Sequence, residues 1–220
     1  MRRIKFNAQL NWKYIFGEIL LIFIGISLAI WFSNWNSSIA SSREKEVAIA
    51  RIKKEIQSNN KELVAARTMN ESILDAFSEF TTIYQDNSRE IISSPDHLNE
   101  LQQKYPDFFR VTDSTELATG LFHYYGSTFI NLELAELSQI AWETTRSINI
   151  TNEFDYECLY ALESLYNLQS RVESEIENAA RALQKGEINE LMRILEFISQ
   201  YDVQLEEDYK DMLNNIDNCH

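Results

Sequence analysis

Residues Tyr14–Asn36 read YIFGEILLIFIGISLAIWFSNWN, and this stretch decides the architecture. Ile15 to Trp35 is 21 residues, which as a helix covers roughly 30 Å, the thickness of a bilayer's hydrocarbon core. No charge occurs from Ile19 to Phe32, and ten of those residues are Ile, Leu or Phe. Together they favour insertion by about 3–6 kcal/mol. Trp12 and Tyr14 stand at one end and Trp31 and Trp35 at the other, the aromatic belt of a helix that meets two interfaces. The stretch predicts a transmembrane helix over 14–36.

Flanking charge sets the expected orientation. Arg2, Arg3, Lys5 and Lys13 precede the span with no acid among them, whereas Arg43 and Lys45 alternate with Glu44 and Glu46 after it. The positive-inside rule then puts residues 1–13 in the cytoplasm as a short tail and residues 37–220 outside, as a periplasmic domain held at the inner membrane. The competing reading is a cleaved signal peptide with Ser38-Ile39-Ala40 as its small-x-small site. Glu18 has two readings, an intramembrane contact with a partner helix or a carboxylate in the first turn that reaches the headgroups near Lys13. Gly25, Ala29 and Ser33 recur every fourth residue, a small-residue stripe that permits close packing of a second helix in the span.

Tyr14, Gly17-Glu18-Ile19, Gly25, Ala29 and Asn34-x-Asn36 around Trp35 resemble the opening of an uncharacterised family of single-span bacterial membrane proteins, frequent in Bacteroidetes. In that family a span with a G-E-I start ends in N-N-W-N and runs into a charged helix. Ser33 stands here where the first Asn of that ending would be. The resemblance covers residues 14–55, with a fainter likeness at Ala141-Trp142-Glu143-Thr144 and Leu165-Tyr166-Asn167-Leu168-Gln169. It implies an inner-membrane anchor with a periplasmic domain and carries no activity with it.

The remaining chain suits long helices, with five Gly and two Pro in 220 residues. The net charge is −14, and of 34 acids and 20 bases only Glu18 and four bases lie in residues 1–36. A domain this acidic is repelled by nucleic acid and by anionic lipid. Ile49, Ile56, Leu63, Asn70, Phe77 and Tyr84 fall seven apart, and Ile52, Asn59, Ala66, Ile73 and Phe80 fill the second register. That is a coiled-coil-like a/d seam, with Asn59 and Asn70 positioned to set register or oligomer state. It fits either a parallel pairing of two copies or a helix of an intramolecular bundle. Residues Ser37–Ser42 either continue the membrane helix or break it.

Asp86 to Ser94 reads as a loop. Ser94 then caps a short helix with Pro95 at its first position and Leu98 and Leu101 inward. Phe108 to Gly126 is the least regular region. Its Phe108, Phe109, Phe122, His123, Tyr124 and Tyr125 either line a ligand pocket or plug the end of the bundle. A helix is expected over Phe129–Ser147, inward at Leu132, Leu134, Leu137, Ile140 and Ala141, with Trp142 as a large core residue. Another follows from about Asn152 to Lys185, a left-handed turn at Gly186, and a last helix from about Glu187 to Asp217. These two form an antiparallel hairpin. Across it Cys158 and Cys219 lie within about 7.5 Å of the same level, so they form either a disulfide or a buried thiol and a free tail thiol.

No G-x-S-x-G, P-loop, G-x-G-x-x-G or H-E-x-x-H occurs, and His97, His123 and His220 lack partners at metal-ligand spacing. The expectation is therefore an all-α protein: one transmembrane helix, then an extracytoplasmic antiparallel bundle of long coiled-coil-like helices. It is not an enzyme and carries no cofactor or metal. Its role is protein–protein interaction as an accessory subunit of an envelope complex or as a homo-oligomer. The alternative is a ligand-sensing bundle acting through a membrane partner.

Overall fold

The computed structural model describes residues 12–85, 89–117 and 120–219. The basic residues Arg2, Arg3 and Lys5 lie outside the described residues, as does His220. The chain divides into two compact units, Met1–Val47 and Ala48–His220.

Helix α1 runs unbroken over Trp12–Thr81. In the first unit its apolar side chains from Ile19 to Trp35 are exposed. It is, by length and composition, one helix long and apolar enough to cross a membrane, the form shared by an anchor and a signal sequence. Ser37–Ser42 does not break it. The Ser42 hydroxyl donates to the Ser38 carbonyl at 2.9 Å, one way a serine is accommodated inside a helix.

The second unit is built on three long helix segments. Residues 48–81 of α1 lie beside α4 (Tyr156–Lys185) and α5 (Ile188–Asn215). Lys53 pairs with Asp217 and Arg67 with Glu206, both at 2.5 Å, and Ser199 donates to Glu71. These contacts set α5 antiparallel to α1. Bonds from Glu55 to Tyr166 and from Asn59 to Gln169 set α4 parallel to α1. The seam Ile52, Ile56, Asn59, Leu63, Ala66, Asn70 and Phe80 is buried within this single chain. Asp155 caps α4 by accepting from the Cys158 amide, and Gly186 ends it at φ 73°, where a side chain would be strained. A 3₁₀ turn over Ile150–Glu153 precedes the cap, so α4 starts later than about Asn152.

The expectation of an all-α chain is corrected by a three-stranded antiparallel sheet. Its strands are β1 (Glu90–Ser93), β2 (Phe109–Glu116) and β3 (Phe122–Thr128), in the order β1-β3-β2. The segments read as the Asp86–Ser94 loop and as the irregular Phe108–Gly126 region therefore contain paired strands. Val111, Thr112 and Thr115 are β-branched, and Phe122, Tyr124 and Tyr125 are aromatic, the side chains that pack well on a pleated surface. Gly120 supplies the left-handed residue of the β2–β3 connection at φ 73°. A bulge separates Val111 from Asp113. Between β1 and β2, Ser94 caps α2 (Pro95–Lys104), whose Leu98 and Leu101 are buried.

A second correction concerns Phe129–Ser147. Only α3 (Ile140–Ser147) is helical there, and residues 129–139 form neither helix nor strand. The topology requires this. With α1 and α4 parallel, the chain must return from the far end of α1 to the start of α4, and this strap makes the return. Asn70 donates to the Glu133 carbonyl and accepts from the Glu133 amide, and Asn59 does the same with Ser138. Leu134 and Ile140, expected to face inward, are exposed, whereas Trp142 is fully buried.

Candidate functional site

The seam residue Asn59 belongs to a buried polar cluster at the junction of α1, α4, α5 and the strap. Glu55 sits on α1 beside Ile56 and is 8% exposed. Its carboxylate accepts from the Ser138 hydroxyl, the Ala141 amide and the Tyr166 hydroxyl at 2.8 Å each, and from the Trp142 amide at 3.4 Å. Gln139, at the N-cap position of α3, makes no side-chain cap bond. Glu55 replaces it from another helix and places an anion where the helix dipole favours one. Trp142 stacks on Tyr166 with ring centroids 5.5 Å apart.

One turn further along α1, Asn59 donates to the Gln169 side-chain oxygen at 3.1 Å, and the Tyr209 hydroxyl donates to the same oxygen at 2.7 Å. The Gln169 amide donates to the Ser138 carbonyl and to Glu173. Burial raises the phenols of Tyr166 and Tyr209 above the usual tyrosine range, and the Glu55 carboxylate adds to this for both. Each stays protonated and donates. A carboxylate already holding four donors and two phenols locked as donors act as structural cross-braces. Sequence reasoning missed Glu55, which follows no motif. The available signal was polar Asn59, Gln169 and Tyr209 at three seam-facing positions.

A different polar pair lies between α1 and α5. Asp202 is 3% exposed and lies among the buried apolar residues Leu191, Leu195, Ile198, Leu205 and Tyr209 of α5. Its Oδ1 has no hydrogen-bond partner, and neither does Nη1 of Arg67. Arg67 spends its Nη2 on Glu206. Burial pushes the Asp202 carboxyl up to about 7, against the pull of the Arg67 guanidinium and with the push of the Glu71 carboxylate.

The six aromatic-region residues divide between two faces of the sheet. Phe108, Phe109 and Tyr124 are buried in one core cluster with Phe80, Ile91, Leu98 and Leu101, and Phe122 packs against it. His123 and Tyr125 alternate to the other face. There the Tyr125 hydroxyl is 3.2 Å from His123 Nδ1, and Nε2 of the same ring is 3.2 Å from Glu90. Cys158 and Cys219 are joined in a disulfide with Cα atoms 5.4 Å apart, which ties the start of α4 to the segment after α5. Glu18 and the stripe Gly25, Ala29 and Ser33 are exposed, and a Cβ built on Gly25 meets nothing within 4 Å. Among the described residues no group of three or more His, Cys, Asp or Glu side chains is placed to hold a metal ion.

No family model, no curated protein and no solved structure matches the chain.

Proposed function

We propose that this chain is a single-span membrane protein whose helical domain stands on the non-cytoplasmic side and serves as an interaction subunit of an envelope complex. The observation that carries the reading is the exposed apolar surface of α1 from Ile19 to Trp35, which no described residue covers. Water would not tolerate such a surface on a monomer, and a bilayer would. The four bases that precede the span, with no acid among them, support the orientation. The polar groups at Glu55 and Asn59 are consumed in holding the strap and α3, which favours a scaffold over a catalyst.

The test is crosslinking in intact cells, recovery of the tagged full-length protein in mild detergent, and mass spectrometry of what accompanies it. A specific envelope protein at near-stoichiometric yield is expected. Recovery of the chain alone would overturn the accessory-subunit reading. The same sample tests the anchor: resistance to alkaline carbonate extraction with an intact N-terminus is expected, and a mature N-terminus near Ser41 would make the helix a signal peptide.

A further inference from the structure

The hairpin of α4 and α5 leaves an open groove of about 280 Å³ lined by Tyr160, Ala161, Leu165, Asp208, Asp211 and Met212. Its floor is apolar, since Leu165 and Met212 reach it from the core. One wall is aromatic. Tyr160 is 65% exposed and stacks on Tyr156, which is 75% exposed, with ring centroids 6.5 Å apart. Two stacked rings held in water beside a groove form a surface that a partner gains by covering. The opposite wall is acidic, with Asp208 and Asp211 one turn apart on α5. No basic residue lines the groove, and Lys210, between the two acids in sequence, is bound to Glu206. Burial, then the charges of Asp211 and Glu207, hold the Asp208 carboxyl above the usual aspartate range. A cation beside it would relieve that crowding.

Apolar floor, aromatic wall and paired carboxylates match the three parts of an arginine or lysine side chain. The stem packs on Leu165 and Met212, the cation lies against the Tyr160 ring, and the charge meets Asp208 and Asp211. Small-molecule sites occupy about 300–1,000 Å³ and enclose their ligand, whereas this groove is small and open. We propose that it docks an arginine- or lysine-bearing segment of a protein partner. The inference rests on the reading of the chain as an interaction subunit and names the face that performs it.

The test places a photoreactive benzoylphenylalanine at Ser164, which lines the groove, in the full-length protein in its native membrane. The crosslinked peptide is mapped by mass spectrometry. The expected adduct is a segment of another protein with Lys or Arg within one helical turn of the crosslinked residue. Asp208→Asn with Asp211→Asn should lower its yield about tenfold, and a synthetic peptide of the mapped segment should bind the purified full-length protein less tightly as salt rises from about 50 to about 500 mM. If the double variant fails to fold by circular dichroism, Asp211→Lys at its exposed position carries the same test. An adduct with a second copy of this chain or with lipid, or a yield that the charge substitutions leave unchanged, overturns the assignment. If a partner co-purifies but Ser164 forms no adduct with it, the groove fails and the interaction reading stands. If nothing co-purifies and no adduct forms, both fail.

Discussion

Asn70 holds both polar backbone groups of Glu133. Its amide donates to the carbonyl at 2.9 Å, and its oxygen accepts from the amide at 3.0 Å. Asn59 repeats the arrangement on Ser138 at 2.7 and 2.9 Å. The spacing explains why two such clamps work together. Eleven residues of helix from Asn59 to Asn70 rise about 16.5 Å, and the five-residue step from Glu133 to Ser138 can reach about 16.5 Å at the rise of a strand. The helix thus presents strand-like pairing groups at the repeat an antiparallel strap needs.

Asn70→Ala removes both bonds to Glu133 and leaves two backbone groups to find water. The expected cost is about 1–3 kcal/mol. Amide exchange over residues 130–138, read by mass spectrometry, should accelerate well before that of α4 and α5. Protection equal to the wild type would show that packing of Ile130 and Leu132 alone holds the strap.

Asp202 predicts a pH dependence of stability. Unfolded, an aspartate titrates near about 3.9, and in the fold burial pushes Asp202 up to about 7. The folded state therefore binds the extra proton between these values. Its stability falls as pH rises from about 4 to about 7, then levels off. Asp202→Asn should flatten the thermal midpoint across that window and raise it at pH 8. The Glu206 carboxyl, held below the usual range by Lys210 first and Arg67 second, contributes only at more acid pH. A slope that survives the substitution would place the titration on another group.

Reduction of the Cys158–Cys219 bond opens a loop with a sequence separation of 61. Such a crosslink contributes about 2–4 kcal/mol. Reductant, or Cys219→Ser, should lower the melting temperature and fray the segment after Met212 while α4 and α5 keep their helicity. Two freely reactive thiols on protein prepared without reductant would contradict the bond.

Gly126 has no room for a side chain. A Cβ there would lie 2.3 Å from the Arg110 carbonyl and 2.9 Å from the Phe109 ring. Gly126→Ala forces β2 away from β3 or moves a buried ring, at a cost of about 1–3 kcal/mol. Loss of near-ultraviolet tyrosine dichroism with retained helical signal is the expected result. An unperturbed spectrum and melt would mean the sheet yields easily.

The elements legible in the sequence are those that short-range rules decide. Ser94-Pro95 and Lys185-Gly186 mark helix ends through neighbouring backbone groups, and both mark them in the structure. The sheet was hidden by composition: few Gly and Pro argue for helix, and one bulged edge strand exposed along most of its length shows no clean alternation. The strap carried a signal that helical spacing masked. Ile130 and Leu132, which pack against the core, alternate with the exposed Asn131 and Glu133, a period of two. The aromatic region could not be divided into core and surface without knowing that it forms strands, since only a strand sends Tyr124 and Tyr125 to opposite faces.

The sequence by itself determined the apolar helix long enough to cross a membrane, the cap of α2 and the turn between α4 and α5. Each follows from consecutive residues, through summed hydrophobicity or local backbone preference. The tertiary structure alone decided that α1 and α4 run parallel, that a non-helical strap joins their ends, and that Glu55 starts a helix it does not belong to. Those outcomes rest on hydrogen bonds between residues 63, 86 and 111 positions apart. Such partners are set by which buried polar groups can be satisfied together, and no local pattern encodes that choice.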